Sequence, residues 1–512
     1  MKGSLTIGTD LTADVEVSCD VAIVGSGAGG AVLAAGLVER GLKVVMLEEG
    51  GYFTRADFDG DEAKVFPMMY QDRGTRTTAD IAITVLQGRT VGGGTTINWT
   101  TCFRTPERTL ENWARVHGIE GYDAASLAPH FEAVEERLGI AEWPVERINA
   151  NNDVLHRGCT KLGWEVTPLR RNVRGCADSG YCGMGCPVGA KQAMHRTYIQ
   201  DALDLGMTVH ADVRADRFEV EGGRVVAVHG SVLERDTGRA TGTKVVVKPK
   251  VAVSSCGAIN GPALLLRSGI EDGPVGRRTF IHPVIAVPAQ YERVINPFFG
   301  APQSVGSHHF FDRGDDHVGF FMEAPPIHPV LASLAFSGFG LETYEFMEML
   351  PHMSAQLALH VDGLHPDDDG GVVSLRRDGR TRLDYPVRPF LAEAFKKSHE
   401  ALARVHFAAG AKRVLSLHVP MTDMRSVDDV AMLADREYGS LKHQIFSAHQ
   451  MGGCAMGPDP ATSVVNTDLR HHAVENLFVV DGSVFPTSLG VNPSETIYAV
   501  AHKARGAVAA AL

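Results

Sequence analysis

The stretch that most constrains the fold is residues 20–51, DVAIVGSGAGGAVLAAGLVERGLKVVMLEEGG. "VAIV" is an apolar run typical of a buried parallel strand, "AVLAAGLVERG" is helix-like up to Gly41, and "KVVMLE" gives a second strand. Gly25, Gly27 and Gly30 form G-x-G-x-x-G at the first turn: one glycine makes the turn, one lets backbone N–H groups reach a pyrophosphate, and one lets the helix pack on the strand. Glu48 follows 23 residues after Gly25, where an acid holds ribose hydroxyls. The segment predicts a Rossmann-like unit for NAD or FAD and disfavours NADP.

A second glycine-rich stretch, "QGRTVGGGTTINWTTCFRTP", occupies residues 87–106. Its three consecutive glycines end at Gly94 and precede Thr95, Thr96 and Asn98. Flexible backbone together with hydroxyl and amide groups suits a loop that wraps a pyrophosphate or the edge of a flavin ring. An ordinary surface loop is the alternative.

These motifs resemble the glucose–methanol–choline (GMC) oxidoreductases in "GSGAGG", "LEEG" and "GGGTTIN". Residues 256–270, "CGAINGPALLLRSGI", are similar to the second signature of that family and depart from it at Gly261 and at Glu271 just beyond. "GRRTFIHP" and "NLFVVDGSVFPTSLGVNPSETIYAVAHKA" resemble its later flavin-domain segments. The similarity runs from about residue 20 to 505, is greatest to the long-chain or fatty-alcohol-oxidase-like branch, and implies FAD as the cofactor.

The resemblance implies an α/β fold, α+β overall, with a Rossmann-like FAD-binding domain and a discontinuous antiparallel-sheet substrate domain. The expected division is 17–110 for the first FAD segment, 111–200 for a lid and cysteine-containing loop, 201–285 for the second FAD segment, 286–434 for the substrate domain, and 435–512 for the C-terminal FAD segment. The implied FAD contacts are Gly25, Gly27, Ala28, Gly30, Glu48, Glu49, Gly93, Thr95, Asn98, Trp99, Ala215, Asp481, Gly482 and Pro493. Because "GGGTTIN" contains no histidine, FAD is expected to bind non-covalently.

The resemblance also implies a catalytic pair. His449 begins the family's H-x-x-G stretch, and Asn492 follows the "DGS" element that starts at Asp481. A neutral imidazole acts as a general base near neutrality, while an asparagine amide orients an oxygen and stabilises a developing alkoxide. The pair predicts alcohol oxidation, with the hydride going to flavin N5 and the proton to His449.

Each member of the pair also has a structural interpretation, and for Asn492 the two roles can hold at once. His449 is also compatible with a hydrogen-bonded core histidine, and Asn492 with a cap ahead of Pro493. The neighbouring His443, His471 and His472 match no catalytic position and are expected to be packing or surface residues.

Residues 175–192, "GCADSGYCGMGCPVGAKQ", bring together Cys176, Cys182 and Cys186. The favoured interpretation is a glycine-rich loop with buried or paired thiols and no metal. An iron–sulfur cluster is an alternative, as is zinc with His195 as a fourth ligand.

The segment at 286–434 is rich in apolar side chains, and we expect them to line the substrate pocket. They are Phe320, Phe321, Met322, Phe336, Phe339, Met347, Met349 and Met353. They favour a small hydrophobic primary or secondary alcohol, with O2 or a quinone or cytochrome as electron acceptor. An FAD-containing lyase, a fatty-acid photodecarboxylase and a non-catalytic flavoprotein on the same fold are the competing functions.

The net charge of −12 argues against nucleic acid as a partner. With no signal-peptide pattern and no long apolar span, the expected location is the cytoplasm, and peripheral membrane contact stays open.

Overall fold

The fold was obtained as a computed structural model, which describes residues 2–336 and 338–512. The strands are β1 Ser4–Thr6, β2 Val15–Val24, β3 Val44–Leu47, β4 Ile83–Val85, β5 Thr101–Cys102, β6 Ile140–Glu142, β7 Thr167–Pro168, β8 Arg170–Asn172, β9 Thr208–His210, β10 Val213–Glu221, β11 Arg224–Leu233, β12 Ala240–Ser254, β13 Arg277–Phe280, β14 Val284–Gln290, β15 Val305–Ser307, β16 Phe320–Glu323, β17 Met353–His360, β18 Gly371–Leu375, β19 Thr381–Asp384, β20 Arg413–Ser416, β21 Thr422–Met424, β22 Ile445–Ser447, β23 Met451–Gly452 and β24 Leu477–Val479. The α-helices are α1 Ala28–Val38, α2 Glu62–Met69, α3 Gly94–Ile97, α4 Glu107–His117, α5 Ala124–Leu138, α6 Ala150–Leu162, α7 Tyr198–Asp204, α8 Gly257–Arg267, α9 Pro329–Ala335, α10 Leu341–Glu348, α11 Pro389–Ala408 and α12 Ser494–Ala510. Short 3₁₀ helices lie at Gly8–Asp10, Arg55–Asp57, Gln71–Gly74, Val145–Arg147, Met194–Arg196, Leu350–His352, Val427–Asp435 and Gly482–Val484.

The predicted strand–turn–helix–strand unit forms as β2, α1 and β3. It lies in a mixed sheet with the strand order β1-β9-β3-β2-β12-β11-β10, in which β24 pairs with the last residues of β12. Within this order, strands β1, β9, β3, β2 and β12 are parallel to one another, and β24 is parallel to β12. Strands β11 and β10 add an antiparallel edge. Helix α1 is buried from Gly29 to Val38, because α7 and α12 also pack on it. The α/β prediction is confirmed.

The segment after Gly206 forms a strand, a hairpin and a long return strand. Strand β9 is followed by the hairpin β10–β11, whose Glu221 pairs with Arg224 across a turn of two glycines with positive φ. Strand β12 then leads through Ser255 and Cys256 into α8. This hairpin fixes Ala215 beside the end of β3 because β10 starts where β9 and β3 end.

A second, mainly antiparallel sheet covers the ends of the parallel strands, and we call it the roof sheet. Its order is β21-β20-β14-β17-β16-β15-β7, with β22 bridging β14 and β4. The predicted antiparallel sheet is therefore present, but β4, β7 and β22 come from outside residues 286–434. The hairpin β18–β19, which was expected in the same sheet, pairs instead with β13 and packs on α8. An alternating pattern predicts a strand without specifying its partner, and the division into five segments stays a prediction.

Each sheet has its own apolar core. The mixed sheet buries one cluster against α1, α5 and α12, and the roof sheet buries another against α6 and α11. None of the described helices is long and apolar enough to cross a membrane. The space between the two sheets, at the carboxyl ends of β2 and β3, is where open α/β folds bind ligands.

Candidate active site

A cavity of about 1050 Å³ lies between the mixed sheet and the roof sheet. The ends of β2 and β3, the starts of α1, α8 and α12, and strands β14, β17 and β22 all contribute to its wall. All the predicted site residues except Gly30 line it: Gly25, Gly27, Ala28, Glu48, Glu49, Gly93, Thr95, Asn98, Trp99, Ala215, His449, Asp481, Gly482, Asn492 and Pro493. The tertiary structure thus brings together motifs that lie more than 400 residues apart in the sequence.

The first glycine turn is shaped by close backbone packing. Gly25 has a φ of +99°, and a Cβ there would lie 2.2 Å from the carbonyl oxygen of Ser255. A Cβ on Gly30 would lie 2.1 Å from the carbonyl oxygen of Gly25, so Gly30 serves helix–strand packing and does not face the cavity. Gly27 caps α1 without any side-chain hydrogen bond, and the cavity-lining N–H groups of the first turn suit an anion such as a pyrophosphate.

Glu48 connects this turn to the second glycine cluster through Ser26. Its carboxylate accepts hydrogen bonds from Ser26 N (3.0 Å), Ser26 Oγ (2.6 Å) and Gly50 N (2.7 Å). Ser26 Oγ in turn accepts from Gly92 N at 2.9 Å. Burial raises the pKa of Glu48, and these three hydrogen bonds oppose the rise. Ser26 was not predicted, although it is the residue between the first two glycines.

The loop of the second glycine cluster is held from behind by a buried ammonium group. Lys191 is 2% exposed, and its Nζ donates to the carbonyl oxygens of Thr96 (2.8 Å), Asn98 (2.6 Å) and Cys182 (2.9 Å). Burial lowers the pKa of Lys191 to about 7. Lys191 thereby joins the cysteine-containing loop to the loop that lines the cavity, a role that the sequence analysis missed.

The cysteine-containing loop offers no metal site in the part of the chain that the structure describes. Cys176, Cys182 and Cys186 carry free thiols. No group of three His, Cys, Asp or Glu side chains among these residues is arranged to hold an ion. His195, the proposed fourth zinc ligand, contacts Thr96 Oγ1 at 3.1 Å instead. The metal-free interpretation is compatible with these contacts and stays a prediction, as do the iron–sulfur and zinc alternatives.

Asp481 joins the C-terminal segment to the start of α8. Its Oδ2 accepts from Gly257 N at 2.8 Å and its Oδ1 from Ser483 N at 2.7 Å. Pro493 precedes α12, and no side-chain cap is formed there. The interpretation of Asn492 as a helix cap is therefore wrong, because its amide points to Glu323 instead.

His449 is half-buried, and its ring contacts the ring of His282. The two Nδ1 atoms are 3.2 Å apart, and the backbone N–H of Gly490 donates to His282 Nε2 at 3.1 Å. Burial lowers the pKa of His449 to about 4, so the ring is neutral at pH 7. The backbone of His282 is held by Asp362, whose carboxylate accepts from Ile281 N and His282 N. His282 lies in the "FIHP" stretch, but no feature of the sequence distinguished it.

Asn492 contacts a buried acid that the sequence analysis did not single out. Its Nδ2 lies 3.4 Å from Glu323 Oε2, and its own Oδ1 is buried without a hydrogen-bond partner among the described residues. Glu323 is fully buried at the end of β16. A lone carboxyl in the apolar run "VGFFMEAPP" is the feature that could have revealed it.

The apolar wall of the cavity differs from the one predicted. None of the eight Phe and Met candidates lines the cavity. Seven pack into cores within or below the roof sheet, and Phe339 is 92% exposed. The apolar lining comes instead from Val284, Leu357, Leu359 and Phe446 of the roof sheet, with Trp99 packed against them. Composition indicated an apolar segment, but which face meets the cavity depends on strand register.

Comparisons with known proteins agree with this architecture. Profiles of the GMC oxidoreductase family match residues 66–284 and 366–501. A long-chain-alcohol oxidase of Arabidopsis thaliana is 30% identical over 510 residues, covering 95% of this chain and 68% of its own length. This chain spans 66–68% of the length of three such plant relatives.

Solved structures show the same fold. Pyridoxine 4-oxidase from Mesorbium loti superposes with a TM-score of 0.69 at 19% identity, covering 96% of this chain and 99% of that one. A formate oxidase from Aspergillus oryzae RIB40 superposes with a TM-score of 0.71 at 14% identity, covering 97% and 99%.

Proposed function

Because the chain belongs to the glucose–methanol–choline oxidoreductase family, we propose that it oxidises a hydrophobic primary or secondary alcohol to the aldehyde or ketone in this cavity. The observation that carries the proposal is that His449 and Asn492 share one cavity with both glycine turns and Glu48. A proton-accepting ring and a hydrogen-bonding amide therefore stand beside a dinucleotide site.

The chemistry of the wall suits FAD, the cofactor of the family. N–H groups at the uncapped start of α1 would hold the pyrophosphate, and Glu48 would hold ribose hydroxyls. When bound, FAD supplies the acceptor for the hydride that leaves the alcohol carbon. Non-covalent binding is supported by residues 92–98, "GGGTTIN", which offer neither histidine nor cysteine for a bond to the flavin.

His449 and Asn492 divide the work on the alcohol oxygen. Because burial lowers its pKa, His449 is neutral at pH 7, and its ring nitrogen is free to take the hydroxyl proton. Asn492 lines the same cavity and can orient that oxygen, and its NH2 group is the end able to stabilise the negative charge that develops there.

The wall also favours an apolar substrate. Leu357, Leu359 and Phe446 offer hydrocarbon surface on the roof side of the cavity. Long-chain-alcohol oxidases are among the relatives, and a medium or long aliphatic alcohol is the substrate class we propose. The electron acceptor is O2 or a quinone or cytochrome.

The test is a visible spectrum of the purified protein under anaerobic conditions, before and after addition of 1-octanol, benzyl alcohol or glycerol. Flavin bands that bleach with 1-octanol and not with glycerol are expected. Recovery on admission of air separates an oxidase from a dehydrogenase. Flavin bands that no alcohol bleaches would favour a lyase or a photodecarboxylase, and a colourless protein that takes up no FAD would contradict the proposal as a whole.

A further inference from the structure

Glu323 is a buried acid with a specific environment. Its carboxyl group contacts two amides: Oε2 accepts from Gln303 Nε2 and, at 3.4 Å, from Asn492 Nδ2. Its Oε1 is buried and has no hydrogen-bond partner within the described residues. The residues that pair with it across the roof sheet are Gly306 and Leu357, so no charged side chain stands opposite it on either neighbouring strand.

The two amides differ in their freedom to turn. Gln303 is held at both ends of its amide, because its Oε1 accepts from Thr101 Oγ1 at 2.6 Å and its Nε2 donates to Glu323. Among the described residues, Asn492 is held through Nδ2 alone and its Oδ1 has no hydrogen-bond partner. The amide of Asn492 can therefore turn about its side-chain bond, and the group that Glu323 presents decides which end faces the cavity.

A carboxylate accepts hydrogen bonds, whereas a protonated carboxyl group also donates one. Ionised Glu323 accepts from Asn492 Nδ2 and leaves Oδ1 for the cavity. Protonated Glu323 can donate to Asn492 Oδ1, which leaves the NH2 group for the cavity. We propose that Glu323 is a positioning residue whose protonation decides whether Asn492 offers a donor or an acceptor to the alcohol oxygen, an inference that rests on the proposed function.

The charge that develops on the alcohol oxygen decides which arrangement of Asn492 speeds the reaction. An oxygen that loses its proton gains negative charge, and a donor stabilises that charge while an amide oxygen or a nearby carboxylate opposes it. Burial raises the pKa of Glu323 to about 8, and the two amide contacts oppose the rise. Lowering the pH to 7 therefore favours the protonated group and the donor arrangement, whereas above pH 8 the ionised group keeps Asn492 Nδ2 turned towards it, as it is in the structure.

The experiment is anaerobic stopped-flow reduction of the FAD-loaded enzyme by saturating 1-octanol between pH 6.5 and 9.5. We expect the wild-type rate to fall roughly tenfold or more across this range. Glu323→Gln keeps a neutral group at all pH values and should hold its pH 7 rate up to pH 9.5. Glu495→Gln is the matched control, because burial also raises the pKa of Glu495 to about 8 but its neighbours are Arg170 and Glu135.

A second variant keeps the test decisive if Glu323→Gln does not fold. Gln303→Leu removes one of the amides that lower the pKa of Glu323, so the alkaline fall should move to higher pH. The role of Glu323 is overturned if the rate of flavin reduction still falls at alkaline pH in Glu323→Gln. It is also overturned if that fall disappears in Glu495→Gln, or if it occurs at the wild-type pH in Gln303→Leu. A wild-type rate that does not change with pH overturns it too while leaving alcohol oxidation intact, whereas a wild-type flavin that no alcohol reduces refutes both proposals.

Discussion

Replacement of His449 by alanine is the most direct perturbation of the proposed chemistry. A positioned general base contributes roughly 10²–10⁴-fold to a rate. Among the described residues that line the cavity, no second histidine is available to take its place. We therefore expect a loss in the upper part of that range, about 10³–10⁴-fold, which corresponds to about 4–5.5 kcal/mol of transition-state stabilisation.

The assay is the first-order rate of flavin reduction by 1-octanol in anaerobic stopped flow, with FAD content measured by absorbance. His449→Ala should retain FAD, because the glycine turns and Glu48 lie at other parts of the cavity wall. His472→Ala is the control: this ring is also half-buried and contacts Ser463 Oγ at 2.9 Å, away from the cavity. It should reduce flavin at the wild-type rate.

The pH dependence gives an independent check on the same residue. Burial lowers the pKa of His449 to about 4, and the base must be neutral to accept a proton. The value of kcat/KM should therefore show no loss attributable to His449 between pH 7 and 5, and should fall as the pH drops through 4 and the ring becomes charged. Flavin reduction in His449→Ala within tenfold of the wild type, with equal FAD content, would refute the assignment of His449 as the base.

Four further substitutions test cofactor binding and stability. Glu48→Gln should weaken FAD binding about tenfold or more, since hydrogen bonds to a charged group contribute about 1.5–3 kcal/mol; fluorescence titration of the apoprotein measures it, and unchanged affinity would exclude a ribose contact. Gly30→Ala should destabilise the fold by about 1–3 kcal/mol, because its Cβ would lie 2.1 Å from a backbone oxygen. Gly506→Ala, in α12 with nothing within 4 Å, should be neutral or stabilising by up to about 1 kcal/mol, and thermal unfolding of both variants would expose an error if their order were reversed. Lys191→Met leaves three carbonyl groups without their donor and should lower both the melting temperature and FAD retention. If neither value falls, the hydrogen bonds from Lys191 are dispensable.

Sequence patterns predicted the local units well, because their requirements lie in consecutive residues. The turn at Gly25 needs a positive φ and the absence of a Cβ, and both are encoded by the glycine itself. The β10–β11 hairpin and the β12-to-α8 turn likewise have glycines at the positions of positive φ. The family motifs added His449 and Asn492, which the structure places on one cavity with Glu48.

Patterns were less informative where a strand is buried on both faces. Strand β16, "FFME", has all four residues buried, and such a run does not reveal which side chain meets the cavity. The Phe and Met residues there were assigned to the substrate wall and lie in the core. Glu323 was overlooked because its importance comes from its contacts with Gln303 and Asn492.

The sequence by itself therefore determined the glycine-rich turn after β2, the family and the pair of residues proposed to act on the alcohol. Tertiary structure decided what stands behind that pair: His282 at 3.2 Å from His449, and Glu323 at 3.4 Å from Asn492. Both partners come from roof-side segments more than 160 residues away in the chain. Their contacts depend on strand register and sheet packing, which are set by long-range burial of apolar surface and are not encoded in any short stretch of sequence.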